Sequence, residues 1–333
     1  MSNVYNPKNE RIKYQYRIYL TNVKQRDFKT ILAVMKHLHE FEVLREFADF
    51  SNIGENAIHA YVENLLVKNL SLSYIDHNLK TLKDFYYWLE RQKGYKSKIN
   101  YNMIEYFNLT QNQRKEARAP EYQKSYKIED IYKVIRSMPS GTLEERRNKA
   151  MISLQFLCGL RVSELRTVKL KNLIYDDEAE NWMIYASPKD MDIKFAKTRN
   201  SYFMPYDDDI KENVLNWYEE LRKMGFKEKE PLFPTIPHRF NQLNLLEPNI
   251  VPEQIKSNTT IANIFKKAFE AQSLPHYRVH SFRHTLVRWS GKKQPEFFNA
   301  VRQSLGHSDI KTTFTSYGAL PPSAVGKILK NGE

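Results

Sequence analysis

Apolar residues recur at helical spacing through most of this chain, and one stretch, between Trp182 and Pro205, breaks into short strand-like runs instead. That contrast predicts a mainly α fold with a small antiparallel β-sheet. Phe28, Ile31, Leu32, Met35 and Leu38 mark a helix beginning near residue 26. A second helix is predicted from Gly54 to Lys68, with Ile58, Tyr61, Val62, Leu65 and Leu66 on one face. A third begins near Ser71-Leu72-Ser73, where a serine can cap the free N–H groups, and buries Ile75, Leu79, Leu82, Tyr86 and Leu89. Further helices are predicted near 128–137 and 143–159, separated by Pro139-Ser140-Gly141, and again near 260–271 and 280–292. Trp182-Met183-Ile184-Tyr185 and Tyr202-Phe203-Met204 have strand composition, with Ile193-Lys194-Phe195-Ala196 as a third candidate.

The polar run from Thr110 to Pro120 divides the helical pattern. The reading is a helical domain over 26–112, a linker over 113–127 and a second domain over 128–333. Residues 1–25 carry one alternating segment, Tyr14 to Tyr19, and read as a short strand or extended arm. The Pro- and Asn-rich stretch 234–258 reads as a long surface loop.

No run approaches the roughly 18 apolar residues of a membrane span, and the first residues lack the apolar core of a signal peptide. A cytoplasmic location is expected. The one cysteine, Cys158, lies in an apolar run and reads as an inert buried thiol. A net charge of +13 favours a polyanionic partner. The third helix has a polar face of His77, Asn78, Lys80, Thr81 and Lys83. It is either solvated, as most such faces are, or laid in a DNA groove, where lysines neutralise phosphates and an asparagine reaches a base edge.

The chemistry is carried by the second half. Arg161 stands in Gly159-Leu160-Arg161-Val162-Ser163-Glu164-Leu165, and Lys197 opens Lys197-Thr198-Arg199-Asn200-Ser201. His280, Arg283 and His284 share His280-Ser281-Phe282-Arg283-His284. His307 stands in Leu305-Gly306-His307-Ser308, followed by Tyr317. A phosphodiester repels nucleophiles, and its in-line transition state spreads more negative charge over the non-bridging oxygens, so fixed cationic donors are needed. Arg161 and Arg283 suit a bidentate clamp. A tyrosine oxygen conserves the energy of the broken strand as a phosphotyrosine, and Tyr317 is the candidate nucleophile. Lys197 is the candidate acid for the leaving 5′ oxygen, although Lys189 and Lys194 stand nearby. His280 is an acid/base candidate for the phenol and His307 a phosphate donor. His280 and His284 have zinc-ligand spacing, but no Glu follows the first and no third ligand is evident; neither metal nor cofactor is expected.

In these boxes the chain resembles the tyrosine recombinase (phage integrase) family. The resemblance rests on the Gly159-to-Leu165 box, on His280-Ser281-Phe282-Arg283-His284-Thr285, and on Leu305 to Thr313 followed by Tyr317. Lys197-Thr198 with Ser201 and Pro205 resembles the β-hairpin lysine segment of that family. The resemblance implies a two-domain C-shaped DNA clamp: a helical (SAM-like) core-binding domain and a catalytic domain. It implies Tyr317 as nucleophile, Arg161 and Arg283 as clamps, Lys197 as acid, and His280 and His307 as assisting groups. The partners it implies are double-stranded DNA at a specific recombination site and three further copies, forming a homotetramer on two DNA sites that passes through a Holliday junction. Accessory DNA-bending proteins are further candidate partners. Integration or excision of a mobile element is the expected role. The alternatives are Xer-like dimer resolution, a topoisomerase IB-like or telomere-resolving enzyme, and a DNA-binding protein that has lost catalysis.

Overall fold

The computed structural model describes residues 5–119, 124–193, 197–240 and 245–306. The chain divides into two units, Met1–Ala119 and Pro120–Glu333. In the first, the side chain of Asn6 accepts the N–H groups of Lys8 and Asn9, and Pro7 has the φ a first helical turn needs. These start α1 (Pro7–Asn22). Its buried residues Ile12, Tyr16 and Leu20 recur every fourth position, so the strand or arm expected over residues 1–25 is corrected to a helix packed into the core. The alternation at Tyr14–Tyr19 misled because Tyr14 and Ile18 share a different, exposed face. Asn9 locks α1 in place: its amide donates to the Ala48 carbonyl and its oxygen accepts the Phe50 N–H, both at 3.0 Å.

The unit continues with α2 (Phe28–Leu44), α3 (Glu55–Val67), α4 (Leu72–Glu90), α5 (Tyr101–Ile104) and α6 (Gln111–Arg118). Helix α4 is its centre. Ser71 caps it, and Ile75, Leu79, Leu82, Phe85, Tyr86 and Leu89 are buried, the predicted stripe together with Phe85. Phe41, Phe50, Tyr61 and Phe107 surround Phe85 and Tyr86, with many of the ring pairs edge-on. The polar stretch predicted as a linker is helical in its first part. Thr110 and Gln113 form a capping box, and α6 packs on α4, where Ser73 Oγ donates to the Ala117 carbonyl at 2.6 Å.

The second unit opens with α7 (Ile128–Ser137) and α8 (Leu143–Cys158). Thr142 and Glu145 form the capping box of α8, and its C-terminal half from Ala150 to Cys158 is buried on every face. After α9 (Val162–Thr167) come β1 (Leu173–Asp176), β2 (Asn181–Ala186) and β3 (Arg199–Tyr202). They form an antiparallel sheet in the order β1-β2-β3, with Leu173 opposite Ile184 and Ala186 opposite Arg199. Part of the candidate strand at 193–196 lies outside the described residues. Helix α10 (Asp208–Lys223) packs along α8 and buries Trp217, whose indole N–H donates to the Leu232 carbonyl at 2.8 Å. The stretch expected as a loop over 234–258 contains β4 (Pro234–Thr235), β5 (His238–Phe240), β6 (Leu246–Pro248) and β7 (Val251–Gln254), paired β4 with β7 and β5 with β6. Strands of two to four residues are too short for alternation to register in sequence. Helices α11 (Asn258–Glu270), α12 (Ser281–Ser290) and α13 (Pro295–Ser304) complete the described unit.

Candidate active site

Three segments far apart in sequence meet at the C-terminal end of α8. Gly159 ends that helix with φ +55°, in the left-handed region that glycine enters at little cost. The turn brings Leu160 into the core and places Arg161 at the N-cap of α9, just ahead of its first turn. Gln155, fully buried one turn earlier, donates from Nε2 to the Leu160 carbonyl at 2.9 Å and lies 3.5 Å from the Val279 carbonyl. It therefore joins the residue before Arg161 to the residue before His280.

Arg283, fully buried on α12, fastens the same frame. Its Nη1 donates to the Gly159 carbonyl at 2.6 Å and its Nη2 to the Leu305 carbonyl at 2.7 Å. One guanidinium thus holds both the turn into Arg161 and the chain two residues before His307. The start of α12 is anchored to the other end of the unit as well: Thr285 Oγ1 accepts the Tyr126 N–H at 3.0 Å, and the Tyr126 ring packs on Phe269, Tyr277 and Phe282.

Glu164 is the electrostatic centre. It is completely buried, and its carboxylate receives four donors. The Arg161 backbone N–H lies at 2.7 Å and Arg161 Nη1 at 3.0 Å; Arg199 Nη1 and Nη2 lie at 2.9 and 2.5 Å. Burial alone would raise the carboxyl pKa, but the hydrogen bonds and charge of Arg199, joined by those of Arg161, bring it down to about 2. Arg199 Nε also donates to Ser201 Oγ at 3.1 Å. Ser201 Oγ donates in turn to the Ser304 carbonyl at 2.9 Å, and Ser304 Oγ accepts the Tyr202 N–H at 3.0 Å. Strand β3 is thereby riveted to the end of α13. Lys197 precedes that strand by two residues and is exposed.

His280 is exposed at the start of α12, with its ring edge-on to His284 at a centroid separation of 5.3 Å. His284 is buried, and burial together with the neighbouring charges of His280, Arg288 and Arg283 lowers its pKa to about 4, so it is neutral at pH 7. The structure therefore brings Arg161, Arg283 and the entry to the Lys197 segment into one bonded frame, with His280 at its edge. His307 and Tyr317 lie outside the described residues. Glu164, Arg199, Gln155 and Ser304 are given no part in the chemistry by the sequence alone, and Ser201 enters there only as a marker of the β-hairpin lysine segment. Gln155 had left a trace: it is a polar residue in the apolar run Ile152–Cys158, where a polar side chain needs a buried partner.

The polar face proposed for α4 divides in two. His77 and Lys80 are exposed, and Lys83 is half-buried with its ammonium 2.7 Å from Glu105. Asn78 and Thr81 are corrected as groove-reading residues. Asn78 is fully buried and accepts the Tyr61 hydroxyl at 3.0 Å, while the Thr81 hydroxyl donates to the His77 carbonyl at 2.9 Å. Asn78 cannot turn outward without leaving the Tyr61 hydroxyl unpaired, and Thr81 is buried with its hydroxyl turned back onto its own helix.

Among the described residues, no helix is long and apolar enough to cross a membrane, and no three His, Cys, Asp or Glu side chains are grouped to hold a metal ion. The phage integrase family model matches residues 124–322, a span that contains Arg161, Lys197, His280, Arg283, His307 and Tyr317. Tyrosine recombinase XerC of Lactobacillus delbrueckii subsp. bulgaricus is 26% identical over 307 residues, covering 91% of this chain and 92% of that protein. A tyrosine recombinase of Pseudothermotoga lettingae is 21% identical over 330 residues, covering 97% of this chain and all of that protein. Among solved structures, a lambda integrase tetramer bound to a Holliday junction matches with a TM-score of 0.63 at 15% identity, over 91% of this chain and 78% of that one. XerH recombinase bound to its difH substrate matches with a TM-score of 0.57 at 16% identity, over 90% of this chain and 78% of that one. By the match of the family model over the greater part of its length, the chain belongs to the phage integrase family, the tyrosine recombinases, enzymes that cut and rejoin DNA strands.

Proposed function

We propose that this chain is a site-specific recombinase that integrates and excises a mobile DNA element. The observation that carries the chemical part is the bonded frame around Glu164 and Arg283, which ties Arg161, strand β3 behind Lys197, and Leu305 ahead of His307 into one rigid constellation. Arg161, the partly exposed arginine, meets the scissile phosphate, and Arg283 completes the clamp with a buried positive charge. Tyr317 Oη attacks phosphorus as its proton passes to His280. The Oη–P bond forms, the P–O5′ bond breaks, and the 5′ oxygen takes a proton from Lys197. His307 donates to a non-bridging oxygen. In the rejoining step a 5′ hydroxyl attacks the phosphotyrosine and releases the phenol.

The unit Pro120–Glu333 serves as the catalytic domain and Met1–Ala119 as the core-binding domain, with the exposed His77 and Lys80 meeting the duplex and its phosphates. Four copies act on two DNA sites, exchanging strands through a Holliday junction.

A nicked suicide duplex carrying the recombination site tests the chemistry. The wild type should form a covalent protein–DNA adduct, and Tyr317→Phe should lose it while still binding. An adduct that survives the substitution removes Tyr317 as nucleophile. The XerC relatives, matched over nine-tenths of both chains, favour a second reading, resolution of replicon dimers. Sequencing the DNA captured covalently in cells separates the two: element ends support integration, and a dimer-resolution site supports the second.

A further inference from the structure

Glu164 presents an electrostatic problem to the clamp. A buried carboxylate bonded to Arg161 cancels the charge that a phosphate ligand needs. With Arg161 alone, the pair would be neutral and would offer the phosphate little. The structure holds a second guanidinium on the same carboxylate. Arg199 grips Glu164 with two donors at 2.9 and 2.5 Å, and the trio of two arginines and one glutamate carries a net charge of +1.

The two arginines differ in exposure. The Arg199 side chain is 7% exposed and that of Arg161 22%, so the surplus charge reaches solvent through Arg161. Arg199 is also fixed from the far side. Its Nε is bound to Ser201, and its stem passes so close to Gly306 that a Cβ there would sit 2.8 Å from Arg199 Cδ. It is therefore buried, oriented and in no position to bind DNA itself.

We propose that Arg199 is a positioning residue: by neutralising Glu164 it leaves the Arg161 guanidinium anchored yet with an uncompensated positive charge for the scissile phosphate. The inference rests on the reading of Arg161 as a phosphate ligand. It assigns no new chemical step. Arg199 acts through Arg161, and the effect falls where negative charge grows in the transition state.

The test is single-turnover adduct formation by the full-length protein on the nicked suicide duplex, once with a natural scissile phosphate and once with a methylphosphonate there. The methylphosphonate lacks the anionic oxygen and so needs less cationic compensation. Arg199→Gln should slow cleavage of the natural phosphate by about 10- to 100-fold, less than the full loss expected when a direct donor is removed. DNA affinity should stay within about threefold, because phosphate contacts elsewhere dominate it. On the methylphosphonate the gap between variant and wild type should shrink to about threefold or less, and Arg199→Lys should recover much of the rate on the natural phosphate by restoring the charge. A purely structural role for Arg199 would leave the gap equal on the two substrates, and that result overturns the proposal. So does an Arg199→Gln variant that cleaves the natural phosphate at the wild-type rate.

Should Arg199→Gln not fold, the double variant Arg199→Gln/Glu164→Gln replaces both buried charges by amides and leaves Arg161 carrying +1. With the Arg161 charge retained but its anchor weakened, it should lose at least about tenfold less cleavage of the natural phosphate than Arg161→Gln loses, and a loss as large as that of Arg161→Gln refutes the charge argument. A wild-type protein that forms no adduct on either substrate removes the recombinase reading and this inference with it. Wild-type cleavage without an Arg199 effect removes the inference alone.

Discussion

Replacing Gly159 by alanine should disable the frame through one methyl group. Gly159 has φ +55°, and a Cβ built on it lies 2.5 Å from Leu286 Cδ1 and 2.9 Å from Leu305 Cδ2. Both leucines are fully buried in the small core that α12 and α13 share, so neither can swing into solvent. An L side chain in the left-handed region costs about 1–2 kcal/mol. Forcing a methyl into a filled core costs about 1–3 kcal/mol more. The expected destabilisation is therefore about 2–5 kcal/mol, or about 5–15 °C in the melting temperature of a unit this size. Gly225 supplies the control in the same unit: its φ is +87°, and nothing lies within 4 Å of an added Cβ. Gly225→Ala should lose only the conformational part, about 1–2 kcal/mol. Urea denaturation of the two variants, followed by tryptophan fluorescence, measures the difference. The displaced Gly159 carbonyl also accepts from Arg283, so adduct formation at a temperature where Gly159→Ala is folded should fall as well. If Gly159→Ala proves no less stable than Gly225→Ala, the close packing of α8 against α12 is refuted as the reason for glycine at this turn.

On α4, Asn78→Ala should lower the stability of the first unit by about 1–3 kcal/mol without altering base preference, since it strands the Tyr61 hydroxyl in the interior. Lys80→Ala should leave the melt unchanged, weaken binding to all sequences alike and reduce the slope of log K against log salt by about one; a loss confined to one sequence would show base reading instead. His284 has a folded-state pKa of about 4, below the ordinary imidazole value, so the unfolded chain takes up the proton first as pH falls. Its stabilisation is complete above pH about 6.5 and is lost as pH falls through 4. The drop in urea midpoint between pH 7.5 and 5 should accordingly be smaller in His284→Asn than in wild type, and an equal drop in both would exclude His284 as a source.

Local signals were sufficient for α4, which has both a cap and a stripe, but not for α1, whose Asn6 cap and Ile12-Tyr16-Leu20 stripe were hidden by the alternating tyrosines. Ser71 with the Ile75-to-Leu89 period set α4, because capping and burial every third or fourth residue are properties of a short window. The motif boxes around Arg161, Arg283 and Tyr317 were legible for the same reason: each is contiguous. What no window contains is the partner of a polar side chain. Asn9 fixes α1 through Ala48 and Phe50, about forty residues on, and the alternating tyrosines give no sign of it. Asn78 looks like any exposed asparagine until Tyr61 approaches from α3. Glu164 and Arg199 sit in plain view within the boxes, yet their pairing across 35 residues decides how much charge Arg161 can offer. Sequence determined which residues are apolar, capped or chemically competent. Tertiary structure alone decided which buried charges meet, because a carboxylate in the interior takes its energy from whichever donors the packed elements bring to it.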